Sequence, residues 1–158
     1  MQPVLVTPAL RLTTFGGLAL AGGERPLGAA AAQRRPLAVL ALLAAAGETG
    51  MIWEKIAAIL WPDAEPERAR RTVNQAIYSL RRATHTEELF VGVTDVRLNT
   101  AAVVCDCVEF DAALREGRLA DAVALYRGPF LDGFAVPGAE EFERWLETER
   151  STRSRACS

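Results

Sequence analysis

The segment from Pro66 to Thr84 constrains the fold most, because its apolar residues repeat at helical spacing. Projected at about 100° per residue, they fall within one narrow sector of a helix. These residues are Ala69, Val73, Ala76, Ile77 and Leu80. Residues 62–66 form a loop rich in proline and acidic residues, and Pro66 at its end suits the first turn of a helix. The sequence therefore predicts an amphipathic helix over 66–84 with one buried face.

The opposite face of this predicted helix carries arginine, amide and aromatic side chains. A stripe at spacings of four, three and four, with two polar neighbours, consists of Arg71, Gln75, Tyr78, Arg82, Asn74 and Ser79. At its ends and shoulders lie Arg68, Arg70 and Arg81. Arginine can pair with guanine through two hydrogen bonds, and Asn or Gln with adenine, so the stripe suits a DNA groove. An arginine-rich face is more often merely solvated, so this interpretation depends on the neighbouring elements.

Those neighbours are predicted in a fixed order along the front of the chain. Short strands broken by glycine doublets occupy residues 9–27, and helices follow at 33–46 and 53–61. After the 66–84 helix, apolar runs at 89–93 and 96–99 flank a polar turn and predict a hairpin. Strands, three helices and a hairpin indicate an α+β fold, a winged helix-turn-helix with an N-terminal antiparallel sheet.

Beyond residue 107 the pattern becomes purely helical. Three helices are predicted, at residues 108–116, 119–126 and 139–150. The formal charge is +3 over residues 34–82 but −6 over residues 106–150, although the whole chain carries only −2. A basic front and an acidic rear indicate two units with different partners. We therefore predict one domain at 8–101 and a short all-α domain at 104–158.

Several strings resemble those of known bacterial regulators. Arg71-Thr72-Val73 followed by Leu80-Arg81-Arg82-Ala83 is similar to the third helix of OmpR/PhoB-type winged helix domains. The segments 33–46 and 60–63 resemble the version found in SARP-like regulators. The strings AVALYRGPFLDGF and PGAEEFERWLETER, residues 122–134 and 137–150, are similar to the start of their bacterial transcriptional activation domain, which is tetratricopeptide-like (TPR-like).

This resemblance implies a transcriptional regulator that binds double-stranded DNA sequence-specifically and activates transcription. It puts the helix at 66–84 in the major groove and the hairpin at 89–99, the wing, at the minor groove. With the basic residues of the first two helices, the predicted DNA contacts are Arg68, Arg71, Thr72, Asn74, Gln75, Tyr78, Ser79, Arg82, Thr94, Arg97, Arg34, Arg35 and Lys55. The loop 61–65 matches a segment that can face RNA polymerase, and the family binds direct repeats as a head-to-tail dimer.

The chain departs from this family in two respects. The second helix of relatives often begins with a Ser-Arg pair, whereas Ile52 and Trp53 stand here, so the helix is predicted to lack its cap. Relatives continue through several more helices, and residues 151–158 no longer resemble them. The sequence therefore predicts a truncated activation domain.

Other chemistry receives little support from the sequence. Cys105-Asp106-Cys107 is interpreted as an extended segment entering a helix, because structural zinc needs four ligands. The single histidine, His85, suits a position beyond a helix C-terminus better than acid-base catalysis. We therefore predict no enzymatic activity, no cofactor and no metal.

Two alternatives to DNA binding and activation stay open. The fold could instead dock another protein, or the chain could be a non-activating fragment.

The N-terminal pattern also predicts where the protein is located. No basic region precedes the first apolar residues, and the most apolar run, 37–46, is too short to span a membrane. We therefore expect a cytoplasmic protein without membrane contact.

Overall fold

The computed structural model describes residues 10–23 and 25–157, in which two small sheets pack with helices around one apolar core. The strands are Leu10–Thr13 (β1), Ala19–Gly22 (β2), Met51–Ile52 (β3), Phe90–Val91 (β4), Asp95–Leu98 (β5) and Val103–Cys105 (β6). The helices are Arg34–Ala46 (α1), Trp53–Leu60 (α2), Pro66–Ala83 (α3), Asp106–Arg115 (α4), Leu119–Leu125 (α5) and Glu140–Ala156 (α6). Short 3₁₀ turns occupy Ala29–Ala32 and Gly47–Thr49.

The N-terminal sheet has the strand order β2-β1-β6. Strands β1 and β2 pair antiparallel, as the alternation around the glycine doublets predicts. Strand β6 pairs with β1 in parallel, with Leu10 opposite Val103. The sheet is therefore mixed: the predicted antiparallel pairing is present between β1 and β2, but the prediction did not include the parallel strand β6. The chain turns at Asn99, whose side-chain oxygen accepts from the Ala101 N–H at 3.1 Å, and then runs back beside β1.

Helices α1, α2 and α3 form the centre of the core. All residues of α1 from Leu37 to Ala44 are buried, which explains why this run is uniformly apolar. Helix α2 ends at Leu60 before Pro62, since proline cannot continue the hydrogen-bond pattern. A five-residue connection then leads to α3, which has Pro66 in its first turn. The three helices occur where the sequence predicts them, with ends displaced by about one residue.

The hairpin after α3 belongs to a second sheet of order β3-β5-β4. Phe90 and Val91 pair antiparallel with Leu98 and Arg97. Val96 and Leu98 point into the core while Arg97 lies on the exposed side, the alternation typical of a half-buried strand. The hairpin predicted at 89–99 is therefore present.

The rear helices pack directly on the front of the chain. Phe15, after β1, has its ring centroid 5.0 Å from that of Phe110 on α4 and 6.1 Å from that of Phe130. The Asp106 carboxylate accepts from the Thr14 N–H at 2.9 Å and from the Phe15 N–H at 3.0 Å. The contacts between the two predicted domains are thus extensive, and β6 contributes to the N-terminal sheet.

The helices of the rear occur near their predicted positions, with differences at two ends. Helix α4 begins at Asp106, so the interpretation of Cys105-Asp106-Cys107 as an extended segment was wrong for its last two residues, whose backbone is helical. Helix α6 continues to Ala156, because Arg153 on its last turns is buried. Residues 8 and 9, where the first predicted domain begins, and Ser158 lie outside the described residues. The mixed α+β class is confirmed, and within the described part of the chain no helix combines the length and apolar character that a membrane crossing requires.

Candidate nucleic-acid interface

Helix α3 has a sharply divided surface. Its apolar residues lie against α1, α2 and the turn at 29–32, and the buried members are Ala69, Val73, Ala76, Ile77, Leu80 and Ala83. Helix dipoles favour acids at the start and bases at the end, and α3 has Glu67 in its first turn and Arg81 and Arg82 in its last. Packing of one face therefore fixes which residues the other face presents.

The stripe of arginine, amide and tyrosine side chains, which we call the reading stripe, lies on that other face and is largely exposed. Its exposed members are Arg71, Asn74, Gln75, Tyr78 and Arg82, with Arg68 one turn before them. Tyr78 retains 57% of its surface, which is high for an aromatic side chain. Thr72 and Ser79, at the edges, are half-buried. Neither the rear helices nor the N-terminal sheet buries this surface, so it is free to contact a partner.

Two contacts organise side chains within the stripe. Arg82 donates from Nη1 to the Tyr78 hydroxyl oxygen at 3.2 Å, and its guanidinium lies 5.8 Å from the centroid of that ring. The Thr72 hydroxyl donates to the Arg68 carbonyl oxygen at 2.8 Å, one turn back. Tyr78 and Arg82 therefore form a pair, whereas the Thr72 hydroxyl proton is already engaged.

The predicted wing residues lie on and beside the β4–β5 hairpin. Thr94, in its loop, and Arg97, on β5, are both exposed. Gly92 has φ +93°, and a Cβ there would lie 2.1 Å from the Asp95 carbonyl oxygen, so only glycine fits this turn. The tight turn holds Thr94 at the tip.

The basic residues predicted on the first two helices differ in their surroundings. Arg34 and Lys55 are exposed. Arg35 is half-buried, and donates from Nε to the Leu60 carbonyl oxygen at 3.0 Å and from Nη2 to that of Pro137 at 3.2 Å. Arg35 thus links α1, α2 and the loop before α6, while DNA contact by any of the three stays a prediction.

Two arginines on the shoulder of α3 have partners that the sequence did not indicate. The guanidinium of Arg70 lies 5.5 Å from the centroid of the Trp53 ring, at the start of α2. The guanidinium of Arg81 lies 5.9 Å from that of Phe90 on β4. The start of α2 carries no side-chain cap among the described residues, as the Ile52-Trp53 sequence predicts. The Trp53 ring instead stacks against the Arg70 guanidinium.

The Cys105-Asp106-Cys107 group joins the front to the rear. Besides the two backbone N–H groups just after β1, the Asp106 carboxylate accepts from the Thr14 hydroxyl at 2.5 Å, so both of its oxygens are engaged. The two Sγ atoms are 3.5 Å apart, and both thiols are buried. The pKa of Cys107 is raised well above its ordinary value of 9.0, first by the hydrogen bond with Cys105 and then by burial. These three residues offer three ligand atoms within 4.8 Å of one another, short of the four of a structural zinc site.

His85 lies just past α3 with φ +54° and is exposed. Its Nε2 is 3.1 Å from the Pro26 carbonyl oxygen. A left-handed residue beyond a helix end is typical of a helix terminus. This position agrees with the interpretation of His85 as a residue that follows the helix.

Comparison with known proteins identifies a related fold. The chain superposes on Mycobacterium tuberculosis EmbR, a SARP-family regulator whose structure was solved in complex with a low-affinity phosphopeptide, with a TM-score of 0.62 and 21% identity. The match covers 94% of this chain, which spans 43% of the EmbR chain. The chain therefore shares the fold of the matched part of EmbR. No protein-family model and no curated protein matches the sequence.

Proposed function

We propose that this chain binds double-stranded DNA sequence-specifically and regulates transcription. The observation that carries the proposal is the exposed arginine, amide and tyrosine stripe of α3, held opposite a fully packed face. The shared fold with a SARP-family regulator supports it. In this proposal α2 and α3 form a helix-turn-helix, and the β4–β5 hairpin is its wing.

Helix α3 lies in the major groove in the proposed complex. The groove is about 12 Å wide and accepts an α-helix. Arg71 and Gln75, one turn apart and both exposed, read base edges. Arg82 and Tyr78, joined by their hydrogen bond, contact the backbone beside them.

The remaining basic side chains contact phosphates around the helix. Thr94 and Arg97 bring the wing to the adjacent minor groove, and Arg34 and Lys55 lie on the first two helices. The exposed acidic residues at the start of α6 are Glu140, Glu141 and Glu143. Repulsion between these carboxylates and phosphate keeps the rear helices away from the duplex.

The rear helices serve as the beginning of a TPR-like activation domain. The exposed loop of residues 61–65 faces RNA polymerase, and two copies bind head-to-tail on direct repeats. The protein acts in the cytoplasm and has no catalytic role. The proposed family supports each of these statements, and the exposure of Pro62, Asp63 and Glu65 supports the contact of the loop with RNA polymerase.

A binding-site selection from a randomised duplex library tests the proposal. We expect the purified chain to enrich one sequence, with an affinity that falls steeply as salt rises. Failure to bind any duplex in a salt-dependent way would overturn it.

Two substitutions separate the roles of the stripe residues. Arg71→Ala should weaken binding, whereas Gln75→Ala should relax preference at one base pair by about 1–3 kcal/mol. Arg127→Ala removes the same charge from an exposed site of the rear and should leave binding nearly unchanged. Equal losses on all sequences for Gln75→Ala would contradict its base-reading role.

A further inference from the structure

Two arginines of α3 contribute nothing to the reading stripe, and both stack on aromatic rings of neighbouring elements. Arg70 lies 5.5 Å from the ring centroid of Trp53 on α2, and Arg81 lies 5.9 Å from that of Phe90 on β4. A guanidinium within about 6 Å of a ring centroid is attracted by the ring face. The two ends of α3 are therefore each attached to a different element of the front.

Both arginines project from the same flank of the helix. Positions 70 and 81 are separated by about three turns, so they differ by only about 20° around the axis and lie about 16 Å apart along it. The flank stands between the buried face and the stripe. Contacts at two separated points of one flank oppose both rotation of α3 about its axis and tilting of the helix.

Arg81 is half-buried, with part of its guanidinium inside the protein. Its Nε is buried and has no hydrogen-bond partner within residues 10–23 and 25–157. Phe90, beneath it, is 5% exposed and belongs to the core. Arg82, the next residue, is exposed and lies in the stripe. Two adjacent arginines thus face different surroundings.

We propose that Arg70 and Arg81 are positioning residues that set the rotation of α3 and thereby the base preference of the stripe. This inference rests on the proposed DNA-binding function. A rotation of about 10° moves atoms at the helix surface, about 6 Å from the axis, by about 1 Å. Paired hydrogen bonds to a base edge require donor–acceptor distances of about 2.7–3.2 Å, so such a rotation breaks them.

This role differs measurably from phosphate binding. A phosphate-binding arginine contributes about 0.9 to the slope of log affinity against log salt. A positioning arginine leaves that slope unchanged, and its removal changes which sequences are preferred. The two measurements therefore assign Arg81 and Arg82 to different roles.

The experiment compares Arg81→Met with Arg82→Met in the full chain. Arg81→Met retains much of the aliphatic stem and removes the guanidinium. Each variant is measured on the duplex selected by the wild type and on its single-base variants, over a range of salt. We expect Arg81→Met to lower discrimination between these duplexes about tenfold with an unchanged salt slope. Arg82→Met should lower the slope by about 0.9 and preserve discrimination.

Arg70→Met provides a second variant at an exposed site, where loss of folding is not expected. It should lower discrimination about threefold, and combining it with Trp53→Leu should add little. A reduced salt slope with full discrimination in both Arg70→Met and Arg81→Met would overturn the inference. Absence of sequence-selective binding by the wild type would instead overturn the proposed function, which the same titrations measure first.

Discussion

Arg153 on α6 is the buried charge whose removal tests the packing of the rear helices most directly. It is 5% exposed, and its Nη2 lies 2.8 Å from an Asp111 oxygen and its Nη1 3.1 Å from a Glu149 oxygen. Its guanidinium also lies 4.8 Å from the centroid of the Phe130 ring. Burial acts to lower the pKa of Arg153, but the neighbouring Asp111, Cys107 and Glu149 raise it above its ordinary value overall, so the guanidinium stays charged.

Arg153→Ala should destabilise the protein by about 3 kcal/mol. Removing one partner of a buried ion pair costs about 3–5 kcal/mol. The lower end applies because the Asp111 and Glu149 side chains keep 30% and 22% of their exposure and can be rehydrated. If the free energy of unfolding falls by about 2 kcal/mol for each molar of urea, the midpoint of unfolding should fall by about 1.5 M urea.

The measurement is unfolding in urea, monitored by tryptophan fluorescence and by circular dichroism. Arg155→Ala is the matched control, because this arginine is on the same helix and exposed, and its loss should change stability by less than about 0.5 kcal/mol. A midpoint for Arg153→Ala equal to that of Arg155→Ala would refute the reasoning, since the buried ion pairs would then contribute nothing net.

Two further predictions concern the junction between front and rear. Asp106→Asn should lower the free energy of unfolding by about 3 kcal/mol, because a charged acceptor of backbone and hydroxyl protons is lost, whereas exposed Glu109→Gln should have little effect in the same urea assay. Because the pKa of Cys107 is raised, the folded state holds the thiol proton more tightly than the unfolded chain does. The contribution of Cys107 to the free energy of unfolding is therefore intact below pH 9.0 and is lost as the pH rises above that value. Unfolding followed from about pH 8 to about pH 10 should show a steeper loss in the wild type than in Cys107→Ala; parallel curves would contradict this.

Local patterns were sufficient for the front helices but not for the contacts between distant segments. Helix α3 was predictable because its apolar spacing and Pro66 are signals within one short segment. Strand β6 was missed because it has only three residues and its partner, β1, is far away in the sequence. The hairpin β4–β5 was found because both of its strands flank one turn.

The candidate interface shows the same division. The projection of α3 correctly separated the buried face from the exposed stripe and assigned Arg70 and Arg81 to the shoulders. Their aromatic partners come from α2 and β4, so no periodicity within α3 could indicate them. Burial of Arg153 was equally hidden, because a polar tail gives no local sign that one of its charges has partners elsewhere.

The parallel pairing of β1 with β6 bears on how the nascent chain folds. Thr14 and Asp106, which join the ends of these strands, are 92 positions apart in the sequence. At translation rates of about 5–20 residues per second, the ribosome needs roughly 5–20 seconds to synthesise the chain between them. During that interval the β1–β2 ribbon emerges without its third strand, and such isolated ribbons are marginal in water. The β1–β2 ribbon therefore becomes fixed only after residues 103–105 have been made, although it is synthesised well before them.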